Sequence, residues 1–540
     1  MAHLPLSSCV LILASHLFIF VNASPPPVVD LGYATYQGAV VQDKLTNATH
    51  TQFLGMRYAA PPTGSARFRG PIPPSSTHGI QIADTEPPEC FQASLGSSPT
   101  SPFLPVSNHK PRAADSGPSE DCLFLNVYVP GNLGEKRNLP VVFWIHGGGY
   151  ALGSASLYDG NDLLRESNEG VIAVVIQYRL GLFGFLSGHK VKESGTLNAG
   201  LLDQQFAMKW VQQHISKFGG DANKVTIWGE SSGAGSVLQH IVANGGRTRP
   251  PLFRAAITSS TYLPSQYRFD DQIPETLFSE TLAKTNCSSA IDSLECLRKV
   301  DVDTLQNANT EIYTSGFFGT FAFVPVVDGR FITNRPTVLL KNGRLNGKTH
   351  LSVTNTFEGT RFVNQTTANT VEVPTYVTQL FPQLTPQQAK MVADQYAPLG
   401  TPIFQVNAIM GESIFICPTY MLLRAFDQRG FKGEFAIPPG SHGLDVSFYF
   451  NNGVLPSAFP NQQFVTAFAE SFQNFVVSLD PNVKSDRADI TSLWKQWGGS
   501  NEMLFNLTET GTPDIRSIQT SHDLLKRCDF WESMTSATSQ

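Results

Sequence analysis

Continuous apolar runs and one amphipathic stripe define the central part of the chain. The runs at 139–145, 171–176 and 225–228 are almost entirely apolar, which is typical of strands buried on both faces of a parallel sheet. Between the last two runs, residues 200–212 carry apolar side chains at helical spacing, namely Leu202, Phe206, Ala207, Trp210 and Val211. This order predicts an α/β fold with a large, mostly parallel sheet and helices on both of its faces.

Weaker patterns flank this centre. Residues 28–41 alternate between apolar and polar, with Gly32 and Gly38 as breaks, and residues 53–58 predict a strand that ends before Pro61. A further strand with one apolar face is predicted at 123–129. Residues 91–121 are rich in Ser and Pro and have no helical periodicity, so they are predicted to form a loop.

Composition narrows the class of protein. The chain has 540 residues, a formal net charge of −6 and no cluster of Lys and Arg, which argues against nucleic acid or an anionic membrane as partner. Only 15% of its residues are charged and 37 are Phe, which suits a large apolar interior or an apolar substrate gorge. Because no linker or repeat interrupts residues 30–530, we expect residues 24–540 to form a single domain.

Residues 1–23 resemble a secretory signal peptide. Their apolar run is too short to span a bilayer, and Ala23 offers the small residue that signal peptidases require. The alternative is a short N-terminal core helix. We therefore expect a secreted, extracellular protein, and no later segment resembles an integral membrane span.

The cysteines agree with secretion. Six remain after the signal peptide, and an even number in a secreted chain favours disulfides. Sequence position favours the pairs Cys90–Cys122 and Cys287–Cys296, whereas Cys417 and Cys528 either pair or stay as buried thiols. No C-x-x-C spacing indicates zinc, and we expect no metal or cofactor. N-glycosylation sequons lie at Asn47, Asn286, Asn364 and Asn506.

The sequence Gly229-Glu230-Ser231-Ser232-Gly233 predicts a sharp turn between a strand and a helix. Two glycines allow the strained backbone, and the turn exposes the Ser231 hydroxyl beside the N–H groups that begin the helix. This G-x-S-x-G pattern is typical of a serine nucleophile in acyl transfer. The alternative is a glycine-rich turn with a capping serine, so a base, an acid and an oxyanion site must be found elsewhere.

Each of these parts has a candidate. Residues 147–149 are three glycines directly after the first buried strand, and their bare N–H groups can hold an oxyanion. Glu358 follows another predicted strand end, and His442 lies in a turn from which it can reach a serine. His214 and His240 lie on helical patterns and are interpreted as packing or surface residues. The order Ser231, Glu358, His442 is the one expected of an α/β-hydrolase.

Taken together, these segments resemble the family of type-B carboxylesterases, cholinesterases and fungal lipases. The resemblance covers nearly the whole chain after the signal peptide. It is carried by FLGMRYAAPPTGSARF at 53–68, SEDCLFLNVYVP at 119–130, HGGGYALGS at 146–154, YRLGLFGF at 178–185, the stretch 200–236, FEGT at 357–360, SHGLDVSFYF at 441–450 and CDFW at 528–531.

The resemblance implies an α/β-hydrolase fold and a role for each site residue. Ser231 would be the nucleophile, His442 the general acid and base, and Glu358 the acid that orients His442. The N–H groups of Gly148, Gly149 and Ser232 would form the oxyanion hole. Cys90–Cys122 and Cys287–Cys296 also match the family's usual disulfides.

Three positions depart from the family pattern. Ser232 replaces the usual Ala, Phe357 replaces an Asp and Gln177 replaces an Asn. The N–H of residue 232 survives its substitution, so we expect local changes and retained activity.

The predicted function is therefore hydrolysis of carboxylic esters, on a small-molecule or lipid ester. Family lipases cover the site with an amphipathic lid, but the loop at 91–121 offers Phe91, Leu95, Phe103, Leu104 and Val106 without a helical stripe. A carboxylesterase with limited interfacial activation is thus preferred over a lipase. Sterol or aromatic-acid esters, amides or thioesters, and a non-catalytic binding module remain alternatives. The Phe-rich stretch 317–323 either lines the pocket or is ordinary core, with core preferred.

Overall fold

The structure is a computed structural model that describes residues 26–103 and 118–540. The predicted signal peptide therefore lies outside the described residues, as do Leu104 and Val106 of the predicted loop. Within 91–103 and 118–121 the structure contains no helix, as the sequence predicts.

A large sheet of eleven strands carries the fold, and a small sheet of three strands lies apart from it. The small sheet contains β1 (Val28–Asp30), β2 (Thr35–Gln37) and β5 (Ile80–Ile82). The large sheet contains β3 (Ala39–Gln42), β4 (Thr49–Arg57), β6 (Phe124–Pro130), β7 (Leu139–Ile145), β8 (Ile172–Ile176), β9 (Gly220–Glu230), β10 (Ala255–Ser259), β11 (Thr349–Asn355), β12 (Phe431–Phe435), β13 (Asn501–Leu507) and β14 (Pro513–Gln519).

Strands of the large sheet follow the order β14, β13, β12, β11, β10, β9, β7, β8, β6, β4, β3. The seven central strands, from β13 to β8, run parallel, and antiparallel strands close both edges. The three apolar runs of the sequence form β7, β8 and the second half of β9, next to one another in the sheet. The predicted, mostly parallel sheet is confirmed.

Helices lie on both faces of the sheet, as predicted. They are α1 (Gly160–Glu166), α2 (Gly181–Phe185), α3 (His189–Ser194), α4 (Ala199–His214), α5 (Ser232–Gly246), α6 (Gln272–Lys284), α7 (Ser293–Lys299), α8 (Val302–Ser315), α9 (Pro336–Lys341), α10 (Val373–Leu380), α11 (Pro386–Tyr396), α12 (Pro402–Gly411), α13 (Cys417–Ala425), α14 (Val446–Tyr449), α15 (Gln462–Ser478) and α16 (His522–Thr538). A π-helical turn, Glu412–Ile416, joins α12 to α13, and short 3-10 turns lie at Gly64–Ala66, Ala155–Leu157, Ile215–Phe218, Thr360–Phe362, Gln365–Thr367 and Ala397–Leu399.

Alternation along β7 explains the two layers of helices. Phe143 belongs to one apolar core and Trp144 to another, because successive side chains of a strand point to opposite faces. Helices α4 and α5 pack into the first core, and the phenylalanines of α15 fill the second. Within the described chain, one helical run, Pro402–Ala425, has the length and apolarity of a membrane span, but 89% of its apolar window is buried inside the fold.

Three disulfides tie distant segments together. Cys90 is bonded to Cys122 and Cys287 to Cys296, the two pairs that the sequence favours. Cys417 at the start of α13 is bonded to Cys528 in α16. Of the two alternatives for these cysteines, a disulfide or buried thiols, the structure has the disulfide. Of the four sequon asparagines, Asn47 and Asn286 are exposed, and Asn364 and Asn506 are half-buried.

Candidate active site

The turn from β9 into α5 is the tightest point of the site. Ser231 has φ 55° and ψ −125°, a strained conformation for a residue with a side chain. A Cβ on Gly233 would collide with the carbonyl oxygen of Ile145, and one on Gly229 would lie 2.5 Å from the carbonyl carbon of Gly233. The Ser231 N–H donates to Ser259 O at 2.9 Å, which holds the turn against the neighbouring strand β10. Glycine is therefore required on both sides of Ser231.

The glycine loop after β7 lies against this turn. A Cβ on Gly147 would lie 3.1 Å from Ser231 Cβ, so the two segments are in contact. Gly148 and Gly149 have φ of +104° and +64°, a region that favours glycine. Within the described residues, the N–H of neither donates a hydrogen bond, and Ser232 is the first residue of α5. These N–H groups are thus free to bind an oxyanion.

His146 supports the loop from behind. Its ring is buried, stacks on Tyr178 with ring centroids 4.5 Å apart, and forms a hydrogen bond between Nδ1 and Gly147 O at 2.9 Å. Burial lowers the pKa of His146 to about 4, so the ring is neutral at physiological pH. His146 therefore fixes the shape of the loop and does not titrate during turnover.

His442 and Glu358 form a short polar contact in the site. His442 Nδ1 lies 2.6 Å from Glu358 Oε2. The other carboxylate oxygen, Oε1, accepts hydrogen bonds from Ser260 Oγ at 2.6 Å and from the Asn355 N–H at 2.7 Å. The loops that carry them are joined, since the Phe357 N–H donates to Gly440 O at 2.8 Å. Glu358 is thereby locked in the orientation that fixes the imidazole.

The outer nitrogen of His442 faces the turn that carries Ser231. His442 Nε2 lies 3.2 Å from Glu230 Oε1 and makes no hydrogen bond to Ser231 or to any other described residue. The imidazole is enclosed by the rings of Phe415 and Phe362, with centroids at 4.4 Å and 4.9 Å. Nε2 is thus the only ring nitrogen left to exchange a proton.

Charge around His442 favours its protonated form. Burial lowers its pKa, but the charge of Glu358 and the hydrogen bond to it, together with Glu230 and Asp445, outweigh burial and raise the pKa of His442 above its ordinary value. For the two carboxyl groups burial acts in the opposite direction, because it disfavours their charged form: it raises the pKa of Glu230 to about 7 and that of Asp445 to about 6. The carboxyl groups of Glu358, Glu230 and Asp445 therefore surround the His442 imidazole with negative charge.

Two of those groups were missed from the sequence. Glu230 is the variable residue of the G-x-S-x-G pattern, and its place at the end of a buried strand could have identified it. Asp445 follows His442 by three residues, is buried, and accepts hydrogen bonds from Asn355 Nδ2 at 2.9 Å and from the Tyr449 hydroxyl at 3.1 Å. A charged residue between apolar neighbours at 444–446 was the available signal.

The departures from the family pattern lie around this centre. Gln177 Nε2 donates to Pro88 O at 2.8 Å and to Cys122 O at 3.1 Å, so it anchors the first disulfide loop. Phe357 is 45% exposed and contacts Phe404, with ring centroids 6.3 Å apart. Ser232 is fully buried. None of the three removes a group that the site requires.

His240 and His214, interpreted from the sequence as packing or surface residues, make their contacts outside the site. His240 Nε2 lies 2.9 Å from Gln204 Oε1 in a buried polar pair behind α5, and His214 contacts the ring of Trp210. In the parts of the chain that the structure describes, no group of three or more His, Cys, Asp and Glu side chains is arranged to hold a metal ion.

The Phe-rich stretch 317–323 combines the two roles considered for it. Phe317 and Phe323 are buried in the core, and the stretch also lines a cavity of about 90 Å³. Phe321 lies where the cavity meets the site, because a Cβ on Gly149 would collide with its ring.

A strained serine turn, a glycine loop and a paired histidine and glutamate at the carboxyl ends of parallel strands define the α/β-hydrolases. The sequence profile described as "Carboxylesterase family" matches residues 25–531, and the chain belongs to that family. It is a carboxylic-ester hydrolase with the α/β-hydrolase fold, as the resemblance implies.

Individual relatives agree. Carboxylesterase patB of Penicillium expansum is 31% identical over 517 residues, which cover 86% of this chain and 90% of the relative. A secreted triacylglycerol lipase of Gibberella zeae is 31% identical over 495 residues, covering 84% of this chain and 82% of the lipase. The crystal structure of Aspergillus niger EstA superimposes with a TM-score of 0.82 and 30% identity, over 95% of this chain and 99% of EstA.

Proposed function

We propose that this chain cleaves carboxylic esters through an acyl-enzyme on Ser231. His442 Nε2 takes the Ser231 proton as the hydroxyl oxygen attacks the ester carbonyl, and then gives that proton to the departing alcohol. Glu358 holds the imidazole in one tautomer and stabilises its positive charge. The N–H groups of Gly148, Gly149 and Ser232 stabilise the oxyanion. Water, deprotonated by His442, then hydrolyses the acyl-enzyme.

The observation that carries this proposal is the 2.6 Å contact between His442 Nδ1 and Glu358 Oε2. With Nδ1 occupied, Nε2 is the nitrogen that faces the turn carrying Ser231. In the structure Nε2 lies beside Glu230, so we infer that a small rotation of Ser231 or His442 completes the catalytic hydrogen bond when substrate binds.

Adjacent serines provide a matched test. Ser231→Ala is expected to abolish hydrolysis of 4-nitrophenyl butanoate, because it removes the nucleophile. Ser232→Ala is expected to keep most of the activity, because residue 232 contributes its N–H and the family usually has Ala there. Equal losses in the two variants, or full activity in Ser231→Ala, would contradict the assignment.

We further propose a carboxylesterase in preference to an interfacially activated lipase. The described part of the loop at 91–121 contains no amphipathic helix, and the cavity of about 90 Å³ is small for a long fatty chain. The lipase alternative is supported by the relative from Gibberella zeae. Activity on tributyrin below and above its solubility limit separates the two: a smooth increase supports the carboxylesterase, and a sharp rise at the limit supports the lipase.

Secretion belongs to the same proposal. Residues 1–23 would be removed as a signal peptide, leaving a single catalytic domain at 24–540, and three disulfides suit an oxidising compartment. Exposed Asn47 and Asn286 are the first candidates for glycans. Expression in a eukaryotic secretory host, with N-terminal sequencing and glycosidase digestion of the protein in the medium, tests this. A protein that stays inside the cell and whose N-terminal sequence still begins at residue 1 would contradict this proposal.

A further inference from the structure

A cavity lined mainly by apolar side chains lies behind Tyr262 and Phe321, which contact α5 and the glycine loop. Its volume is about 90 Å³, several times the ~10–15 Å³ that one water needs. It is below the ~150 Å³ of an engineered protein cavity that holds benzene. The walls include Ile273, Leu277, Phe317, Phe321, Leu380 and Ile414. Such a space has room for a short acyl chain and not for a long fatty one.

Contacts on two sides join this cavity to the reaction centre. Tyr262 forms part of one wall and lies three residues after Ser259 in the chain. The carbonyl oxygen of Ser259 accepts a hydrogen bond from the Ser231 N–H. A Cβ on Gly235, one helical turn after Ser231, would meet Tyr262 O at 2.6 Å. On the other side, Phe321 lies against the oxyanion glycine Gly149. The cavity therefore borders both the nucleophile turn and the oxyanion loop.

The geometry favours the acyl part of the ester as occupant. The ring of Phe415 contacts both Tyr262, at 5.5 Å, and His442, at 4.4 Å, and so lies between the cavity and the imidazole. The leaving alcohol must receive its proton from His442 Nε2 and stays on that side of Phe415. The acyl chain must then leave the carbonyl carbon of the bound ester in the other direction. That direction passes Gly149 and Phe321 and enters the cavity.

The Tyr262 hydroxyl is a polar group in this mainly apolar wall that makes no hydrogen bond within the described residues. Tyr262 is 4% exposed, its ring contacts Phe321 and Phe415, and its hydroxyl makes no hydrogen bond within the described residues. Its neighbours differ, since the hydroxyls of Tyr178 and Tyr313 donate to backbone carbonyls at 2.8 Å and 3.1 Å. Burial raises the pKa of Tyr262, which keeps the hydroxyl protonated and able to donate.

The Tyr262 hydroxyl is not fully enclosed, so it is open to a partner inside the cavity, and polar groups in protein interiors nearly always have one. In a site that binds a ligand, the missing partner is an atom of that ligand. A substrate with an acceptor oxygen at the right depth restores the hydrogen bond, whereas a plain hydrocarbon chain leaves the hydroxyl unpaired. Discrimination by a buried polar group is stronger than discrimination by one methylene in an apolar pocket.

We propose that Tyr262 determines acyl specificity by donating a hydrogen bond from its hydroxyl to an oxygen carried by the acyl chain. The preferred substrates are then esters of short oxygenated acids, such as oxo-acids and hydroxy-acids, over plain acids of equal length. This inference rests on the proposed function of Ser231, because it concerns the acyl group that Ser231 accepts.

The test compares 4-nitrophenyl 4-oxopentanoate with 4-nitrophenyl pentanoate, which differ by one acceptor oxygen. Tyr262→Phe removes only the hydroxyl, and thermal melting of the variant checks that the fold is intact. The control is Tyr376→Phe, because the Tyr376 hydroxyl also makes no hydrogen bond but Tyr376 does not line this cavity. The quantity measured is the ratio of kcat/KM for the oxo-ester to kcat/KM for the plain ester.

We expect Tyr262→Phe to lower this ratio about tenfold, the loss of one neutral hydrogen bond, and to change the plain ester less than about threefold. Tyr376→Phe should leave the ratio unchanged. An unchanged ratio in Tyr262→Phe, or an equal fall in Tyr376→Phe, overturns the role of Tyr262 while the esterase assignment stands. A wild-type enzyme that hydrolyses neither ester overturns both.

Discussion

The nucleophile edge of the sheet and the wall of the cavity beside it are built in different ways. At the edge, residues 145–149 and 229–233 meet through their backbones, and glycines stand where any side chain would collide. The cavity wall is assembled from side chains of segments far apart in the chain, at 101–103, 187, 262–277, 317–326, 379–382 and 410–414. Phe321 is the residue at which the two regions touch.

This difference separates reactivity from specificity. The edge has no spare volume, so substitutions there displace the reacting groups and lower the rate on every ester. The wall encloses a cavity and carries the Tyr262 hydroxyl, which has no hydrogen bond within the described residues, so substitutions there change which acyl groups fit. Substitutions at the edge are therefore expected to have larger effects than substitutions in the wall.

The largest effect is expected from the orienting acid. Glu358→Gln keeps the size of the side chain but removes the charge that fixes and stabilises the His442 imidazolium, and kcat should fall about 10³–10⁴-fold on all esters. Glu434→Gln is the matched control, because Glu434 lies at the neighbouring strand end and accepts from Thr356 Oγ1 instead of contacting His442. A loss below tenfold in Glu358→Gln would remove Glu358 from the mechanism.

The oxyanion loop should be nearly as sensitive. Gly149→Ala forces a Cβ into the ring of Phe321 at a backbone φ of +64°, so the N–H is displaced and kcat should fall about 10²–10³-fold. Gly343→Ala has almost the same φ, +61°, with no atom within 4 Å of the added Cβ. It isolates backbone strain and should leave kcat/KM unchanged. Comparable losses in both variants would mean that strain, not the oxyanion site, is measured.

At the contact between the two regions, Phe321→Ala should enlarge the cavity. We expect kcat/KM for a 4-nitrophenyl octanoate to rise about tenfold relative to the acetate, since a longer chain gains apolar contact in the larger space. Phe318→Ala, in a separate outer pocket, should leave the ratio as it is. A uniform loss on both esters would place Phe321 with the edge instead of the wall.

The smallest effect concerns pH. His442 must be neutral to accept the Ser231 proton, so kcat/KM falls on the acid side as His442 becomes protonated. Glu230→Gln removes the negative charge that the Glu230 carboxyl, 3.2 Å from Nε2, carries above its pKa of about 7. Since that charge helps to raise the pKa of His442, its loss should move the acid limb of the pH profile to lower pH, with little change at pH 8. A limb that stays in place or moves to higher pH would contradict this coupling.

The edge and the wall also differ in how far the sequence alone predicts them. The strands β7, β8 and β9 were predictable because central parallel strands are apolar on both faces. The turn around Ser231 and the loop at 147–149 were predictable because close backbone contacts restrict those positions to glycine. Local geometry of this kind leaves a local pattern of residues.

Side-chain contacts over long sequence distances left no such pattern. Glu230 lies beside His442 only after separate strand ends meet, and Tyr262 lines a cavity formed by six separate segments. The bond between Cys417 and Cys528 depends on α16 packing against α13, which no spacing of cysteines indicates. The described parts of the loop at 91–121 are irregular, as predicted, while its role at the site entrance stays a prediction.

The central claim, that Ser231 is an activated nucleophile, is tested most directly by covalent trapping. The protein is treated with a fluorophosphonate and its intact mass is measured for wild type, Ser231→Ala and Ser232→Ala. We predict one phosphonyl group per chain, located by peptide mapping to Ser231, in the wild type and in Ser232→Ala, and none in Ser231→Ala. A phosphonyl group on Ser231→Ala at the wild-type rate, or none on a folded wild-type protein, would contradict the account.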